Sequence, residues 1–106
     1  QTKLGEMYVD GNGVPQVYKL AQSYFELAAR QGSALAQFYL GEMYQTGIGA
    51  LADNVLAHMW FNIAASNGHE KGREYRDKIV TTMSPSQIEK AQDLARGCVS
   101  NNYKGC

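Results

Sequence analysis

The chain has 106 residues, and its ten basic and ten acidic side chains give a formal net charge of zero. This length suits one small domain, and the balanced charge argues against a nucleic acid or an anionic membrane surface as a partner. No apolar run approaches the roughly 18 residues that a membrane-spanning helix needs.

An internal repeat dominates the sequence. The pentapeptide Leu-Gly-Glu-Met-Tyr stands at residues 4–8 and again at residues 40–44, an offset of 36 residues. Between residues 1–32 and residues 37–68, 14 of the 32 aligned positions are identical. A period of about 20 to 50 residues is typical of stacked-repeat architectures. Such proteins usually work by presenting a surface, and seldom by chemistry.

The first repeat, residues 1–32, begins at a position that corresponds to the interior of a helix. Gln1 aligns with Gln37, which lies four residues past the start signal of its own helix. We therefore expect the first repeat to lack its opening turn. The N-terminal edge of the stack would then be exposed and would offer a route to self-association.

The second repeat, residues 33–68, carries the clearest helix signals. Ser33 and Asp53 stand where N-caps belong, Gly47 and Gly49 interrupt the helical pattern, and Gly68 ends it. These signals predict two antiparallel helices joined by a glycine loop. The first helix has one apolar face with helical spacing, formed by Ala36, Leu40, Met43 and Tyr44.

Small residues at recurring positions predict close contacts between the helices of the second repeat. These contact points are Gly41, Ala57 and Ala64. They are expected to face the aromatic rings of Tyr44, Trp60 and Phe61. Because glycine in a helix interior costs about 1 kcal/mol relative to alanine, Gly41 suggests a packing reason.

The third unit, residues 69–106, is degenerate, since Arg76 stands where the second repeat has Leu40. Ser84, Pro85 and Gln87 together predict a strong helix start. The predicted helix has a charged face opposite an apolar stripe of Ile88, Ala91, Leu94, Ala95 and Cys98. A polar outer face is what a terminal repeat needs, so the sequence predicts an all-α solenoid that ends in a capping helix pair.

These residues resemble the Sel1-like repeat family, relatives of the tetratricopeptide repeats. The resemblance rests on Leu40, Gly41, Tyr44, Gly47, Gly49, Ala57, Trp60, Phe61, Ala64, Ala65 and Gly68, and on their copies in the first repeat. The stretch from Met83 to Ala95 resembles the closing helix of bacterial members. The family resemblance implies a right-handed α/α superhelix that acts as an adaptor or scaffold for a protein or peptide partner.

Cys98 and Cys106 lie eight positions apart. On one continuous helix that spacing is about 12 Å of rise, too far for a disulfide, so a bridge requires the helix to end before Cys106. Asn101 and Asn102 supply helix breakers. The alternative is that Cys98 is a small buried hydrophobe and Cys106 a free thiol. The spacing also resembles the disulfides of secreted, cysteine-rich bacterial members, which would place the chain in the periplasm or outside the cell.

No residue pattern supports catalysis, a cofactor or a metal site. His58 and His69 are the only histidines, and zinc would need further ligands at suitable spacing. The two Gly-x-Gly segments recur at the repeat period, which indicates interhelical turns instead of phosphate loops. Glu6 and Glu42 recur as a carboxylate pair, but a solvated face explains them better than glycosidase-like chemistry.

The first helix of each repeat has a second face, opposite its core stripe, that we predict to line a concave groove. Phe38 is the predicted apolar anchor and Glu42 a polar contact, although a lone exposed aromatic residue is an equally good interpretation of Phe38. The predicted face consists of Thr2, Glu6, Val9, Leu35, Phe38, Glu42, Gln45, Glu74 and Lys78.

The leading prediction is a non-enzymatic interaction scaffold of a bacterial exported type. One alternative is a β-lactamase-like enzyme or small-ligand binder of the cysteine-rich branch, which would show turnover. Another is a structural segment of a longer repeat protein.

Overall fold

A computed structural model describes residues 15–48, 50–104 and 106, with side chains of the first helix from residue 19 onward. Within these residues the chain is helical and forms no strand. The helices are α1 (Pro15–Arg30), α2 (Ala34–Thr46), α3 (Asn54–Ser66), α4 (Glu70–Ile79) and α5 (Pro85–Ser100), with a short 3₁₀ helix, Val80–Thr82, between α4 and α5. The predictions for Thr2, Glu6 and Val9 lie outside the described residues.

The predicted helix starts are confirmed. The Ser33 hydroxyl accepts a hydrogen bond from the Ala36 amide at 3.2 Å, and the Asp53 carboxylate accepts one from the Leu56 amide at 3.1 Å. Each cap satisfies an amide that has no partner within its own helix. Ser84 forms the full reciprocal capping box at the start of α5.

Helix α3 is the centre of the fold, because it packs against α2, α4 and α5, while α1 packs against α2. The predicted close contact of α2 with α3 is confirmed at Gly41. A Cβ atom built on Gly41 would lie 2.5 Å from the Phe61 ring, so only glycine leaves room for this approach. The fold is therefore an all-α solenoid in which α1 to α4 pack in chain order and α5 packs back on α3.

Two buried clusters make up the core. The stripe predicted for α2 is confirmed, with Ala36, Leu40 and Met43 buried and Tyr44 packed at the margin. The stripe predicted for α5 is confirmed at Ala91, Ala95 and Cys98, with Ile88 partly buried. Leu94 departs from it, because 39% of its surface is exposed on the outer side of α5.

The C-terminal tail folds back onto the helices. Helix α5 ends at Ser100, and the predicted Cys98–Cys106 disulfide is present, with Cα atoms 5.6 Å apart. Asn102 and Tyr103 adopt the left-handed backbone conformation, with φ of 54° and 64°, which reverses the chain direction. Cys106 then packs against the core cluster that contains α1.

A buried polar network joins this tail to three helices. The Gln37 amide nitrogen donates to the Ala29 carbonyl at 3.1 Å, and its oxygen accepts from Asn67 at 2.9 Å. The Asn67 side chain also donates to the Tyr103 hydroxyl at 3.1 Å. The fully buried amide of Gln37 is thus satisfied on both ends, as a buried polar group must be.

Candidate binding surface on the first helices of the repeats

The predicted face falls on α2 and α4, the first helices of successive repeat units. On α2, Gln45 is exposed, Leu35 is 37% exposed and Glu42 is half-buried. On α4, Glu74 and Lys78 are exposed. These five side chains keep the accessibility that a contact surface needs.

Phe38, the predicted anchor, is not part of that accessible surface. Only 5% of its surface is exposed. Its ring lies 4.6 Å from the His69 ring, 5.0 Å from Tyr75 and 5.8 Å from Phe61, measured between centroids. The prediction of an exposed anchor is wrong, because the start of α4 folds over this position and turns Phe38 into the joint between α2 and α4.

Glu42 keeps a carboxylate with unusual surroundings. Burial raises its pKa above the usual value, and the Lys71 ammonium opposes that rise only in part. Within the described residues, its carboxylate makes no hydrogen bond or ion pair. A half-buried carboxylate that a nearby cation compensates only in part has lost hydration that is not fully replaced.

On α4 the exposed charges pair along the helix. The Lys78 ammonium lies 3.7 Å from the Glu74 carboxylate, one turn earlier. It also lies 5.6 Å from the centre of the Tyr75 ring, in cation–π contact. Because such exposed pairs contribute only about 0–1 kcal/mol, they separate easily when a partner offers a better contact.

The two histidines have structural roles that the sequence did not show. The neutral Nδ1 of His69 accepts a hydrogen bond from the Gly72 amide at 3.1 Å and so caps α4. His58 is almost fully buried on α3, and its Nδ1 has no hydrogen-bond partner. Burial lowers the pKa of both imidazoles, and a neighbouring cation, Arg76 for His58 and Lys71 for His69, lowers it further.

Nothing in this region resembles a metal centre. In the part of the chain that the structure describes, no three His, Cys, Asp or Glu side chains lie close enough to hold a metal ion. Because the two histidines serve different contacts of α4, they do not form a shared ligand set.

Two shallow cavities of about 350 Å³ each lie along α5. One is lined by polar and apolar side chains of α3 and α5, among them Asn62, Arg96 and Val99. The other lies beside the disulfide, with Trp60 at its floor and Leu94 at its rim. These cavities open on a different part of the surface from the five accessible residues of α2 and α4.

The alternation of capped helices, the close contact of α2 with α3 at Gly41 and the repeat of 36 residues define an α/α repeat protein. Comparison with known families is more specific, because the Sel1 repeat matches residues 1–33 and again residues 34–69. The chain belongs to the Sel1 repeat family. Sel1 repeats are generally protein-interaction modules. A comparison with curated proteins found none that matches.

No helix among the described residues is long and apolar enough to cross a membrane.

Proposed function

We propose that this protein is a non-enzymatic interaction scaffold whose first-helix face binds a protein or peptide partner. We define the first-helix face as Leu35, Glu42 and Gln45 on α2 with Glu74 and Lys78 on α4. The observation that carries the proposal is the half-buried carboxylate of Glu42, which makes no hydrogen bond or ion pair in the part of the chain that the structure describes and whose burial Lys71 offsets only in part. A cationic group of a partner would add to that partial counter-charge.

A ring contact between α2 and α4 supports this proposal by linking the two helices. Phe38 of α2 contacts Tyr75 of α4, and Tyr75 in turn contacts the Lys78 ammonium. The exposed charge of Lys78 is therefore connected to α2 through these two rings. Lys71 is also close enough to act on the Glu42 carboxylate. A partner segment that lies along α2 and α4 would therefore meet the partly compensated Glu42 carboxylate and the exposed Lys78–Glu74 ion pair, which separates easily.

The experiment begins with a displayed peptide library that is selected on the immobilised full chain. The tightest peptide is then mapped by amide chemical-shift changes on the labelled chain. We expect the largest changes at Glu42, Gln45, Glu74 and Lys78. Changes confined to the cavities along α5 would reject the first-helix face and favour the small-ligand alternative.

The domain organisation that we propose has one solenoid domain over residues 1–106. Residues 69–106 would be a degenerate third repeat whose second helix, α5, closes the stack. The charged outer side of α5 supports this role, because Glu89, Lys90, Asp93 and Arg96 are all exposed. Such a face discourages another repeat from packing on it.

We further propose a periplasmic or secreted location, as in a bacterial exported protein. The Cys98–Cys106 disulfide supports it, because disulfides persist in oxidising compartments. A bridge that closes so short a loop stabilises by about 2.5 kcal/mol in the chain-entropy model. Intact mass of non-reduced protein from cells tests this location, since two free thiols would remove its main support.

Self-association is proposed through the N-terminal edge, with a second copy as the partner. Leu20 and Leu27 of α1 are 41% and 44% exposed, whereas Ile63, the repeat equivalent of Leu27, is 1% exposed. Sedimentation of the chain and of Leu27→Glu tests the proposal, with Leu94→Glu on α5 as the control. We expect Leu27→Glu alone to lower the association state, and identical sedimentation of all three proteins would reject it.

A further inference from the structure

The start of α4 depends on a neutral histidine. His69 caps the helix through Nδ1, which accepts from the Gly72 amide. A protonated imidazole carries hydrogen on both nitrogens, so it cannot accept this bond. It would also place a positive charge at a helix N-terminus, where the helix dipole disfavours cations.

Of the charged and aromatic groups around His69, some favour the neutral imidazole and others favour the protonated one. Glu70 follows it in the first turn of α4, and Lys71 lowers its pKa. From α2, the Phe38 ring stacks on the imidazole with an interplanar angle of 22°, a contact that favours a cation. Glu42 is the nearby carboxylate of α2 and faces Lys71. The pKa of His69 is lowered, first by burial and then by the Lys71 ammonium.

The second histidine lies on α3, the helix against which α4 packs. His58 is 2% exposed, and its Nδ1 is buried without a partner. The charged groups that act on it belong to α4: Arg76 lowers its pKa and Asp77 raises it. The Arg76 guanidinium is held in place by the Asn62 amide oxygen at 3.0 Å and by the Asp77 carboxylate at 3.1 Å.

Among the described residues, Asp77 on α4 offsets Arg76 in part, and α2 and α5 each bring charges that have another partner or cation nearby. From α5, Arg96 lines the same cavity as Asn62 and forms its ion pair with Asp93. From α2, the charged side chain is Glu42, whose nearby cation is Lys71. A proton on His58 would therefore add a buried charge beside a fixed guanidinium, which a protein interior tolerates poorly.

Helix α4 packs on α3 through a small buried face. Of its ten residues only Gly72 and Ile79 are buried. Both histidines of the chain thus lie where α4 joins the rest of the fold: His69 caps its first turn, and His58 is buried on α3, the helix on which α4 packs.

We propose that His58 and His69 form a pH-sensitive latch that holds α4 against α2 and α3 when both are neutral and releases it on acidification. The latch concerns α4 itself and stands whether or not the first-helix face binds a partner. If that face does bind, release of α4 would remove Glu74 and Lys78 from it.

The direction of the effect follows from proton linkage. Both imidazoles have a pKa below the usual 6.5 while α4 is docked. With α4 released, the two imidazoles therefore take up protons at a higher pH than they do with α4 docked. Docking is fully present above pH 6.5 and weakens progressively as the pH falls below that value.

The test measures hydrogen exchange of the full chain at about pH 7.5 and about pH 5.5, with protection corrected for intrinsic exchange rates. We expect α4 amides to lose protection about five- to ten-fold more than α2 amides on acidification, the size of one lost cap or more. Equal loss in the two helices would overturn the latch.

Two variants separate the histidines from general acid effects. His69→Asn keeps a side-chain acceptor at the cap and cannot take up a proton in this range. His58→Leu removes the buried imidazole. We expect each variant to reduce the extra loss in α4 and the double variant to abolish it. An undiminished extra loss in a folded double variant would also overturn the proposal, and the wild-type comparison of α4 with α2 decides it even if that variant does not fold.

Discussion

Helices α2 and α4 are the first helices of successive repeat units, yet they are held in different ways. Helix α2 buries six of its 13 residues, among them Phe38, Leu40 and Gly41. Helix α4 buries only two of its ten. The same place in the repeat is therefore filled by an apolar helix in one unit and by a mostly charged helix in the next.

This difference indicates which helix of the solenoid is more stably packed and which one can change its position. Helix α2 is fixed by side chains that leave water, which is the main source of folding free energy. Helix α4 has a smaller buried face, Gly72 and Ile79, and depends also on a cap, on the Phe38 ring and on the Arg76–Asn62 hydrogen bond. A helix with few buried contacts belongs to the least stable part of a fold, and that part is suited to binding and switching.

Removing the ring that joins the two helices should have the largest effect. Phe38→Ala is expected to lower the free energy of unfolding by about 3 kcal/mol, because it empties a buried site between α2 and α4. Leu35→Ala, on the exposed side of α2, is the control and should change it by about 0.5 kcal/mol or less. Urea denaturation measures both free energies of unfolding. Equal effects of the two substitutions would indicate that Phe38 is a surface residue.

Filling the close approach of α2 to α3 should come next. Gly41→Ala is expected to destabilise by about 2 kcal/mol, because the new Cβ would overlap the Phe61 ring. Gly97→Ala is the matched control, since nothing lies within 4 Å of its Cβ position on α5. That substitution should stabilise by about 0.5–1 kcal/mol through helix propensity alone. Thermal unfolding separates the two signs, and a neutral Gly41→Ala would contradict the packing.

Loss of the α4 cap should have a smaller effect. His69→Ala is expected to destabilise by about 1 kcal/mol at neutral pH, whereas His69→Asn should retain most of the stability because it keeps an acceptor for the Gly72 amide. Urea denaturation of both variants at about pH 7.5 checks this. If alanine and asparagine prove equivalent, the hydrogen bond does not hold α4.

The smallest predicted effect concerns Glu42. Because burial raises its pKa, the ionised form is disfavoured in the folded chain, and stability is lost as the pH rises through the carboxyl titration range. Glu42→Gln should therefore stabilise the chain at neutral pH by at most about 0.5 kcal/mol, since the group is half exposed. The gain over the wild type should vanish near pH 4, and a constant gain at both pH values would argue against the desolvated carboxylate.

Most of the fold could be predicted from short-range signals in the sequence. Ser33, Asp53 and Ser84 cap helices through contacts within three residues, so their roles can be recognised without a structure. Gly41 could be predicted because its copy at Gly5 marks a packing position of the repeat. The Cys98–Cys106 disulfide could be predicted because Asn101 and Asn102 allow α5 to end before Cys106.

Contacts between distant segments could not be predicted in the same way. Whether Phe38 faces solvent depends on the path of α4, which begins some thirty residues later and is degenerate. The buried Gln37 is recognisable only through Asn67 and Ala29, on two other helices. No short-range pattern indicated that His69 would cap a helix, because serine, threonine, aspartate and asparagine are the usual caps.

The proposed function requires that the first-helix face bind a partner through the Glu42 carboxylate, whose burial Lys71 offsets only in part. The most direct measurement is the affinity of the selected peptide for the wild type, for Glu42→Gln and for the control Glu89→Gln on the outer side of α5. We predict about ten-fold weaker binding for Glu42→Gln, the size of one lost charge-assisted contact, and unchanged binding for Glu89→Gln. Equal affinity of all three proteins would contradict the claim.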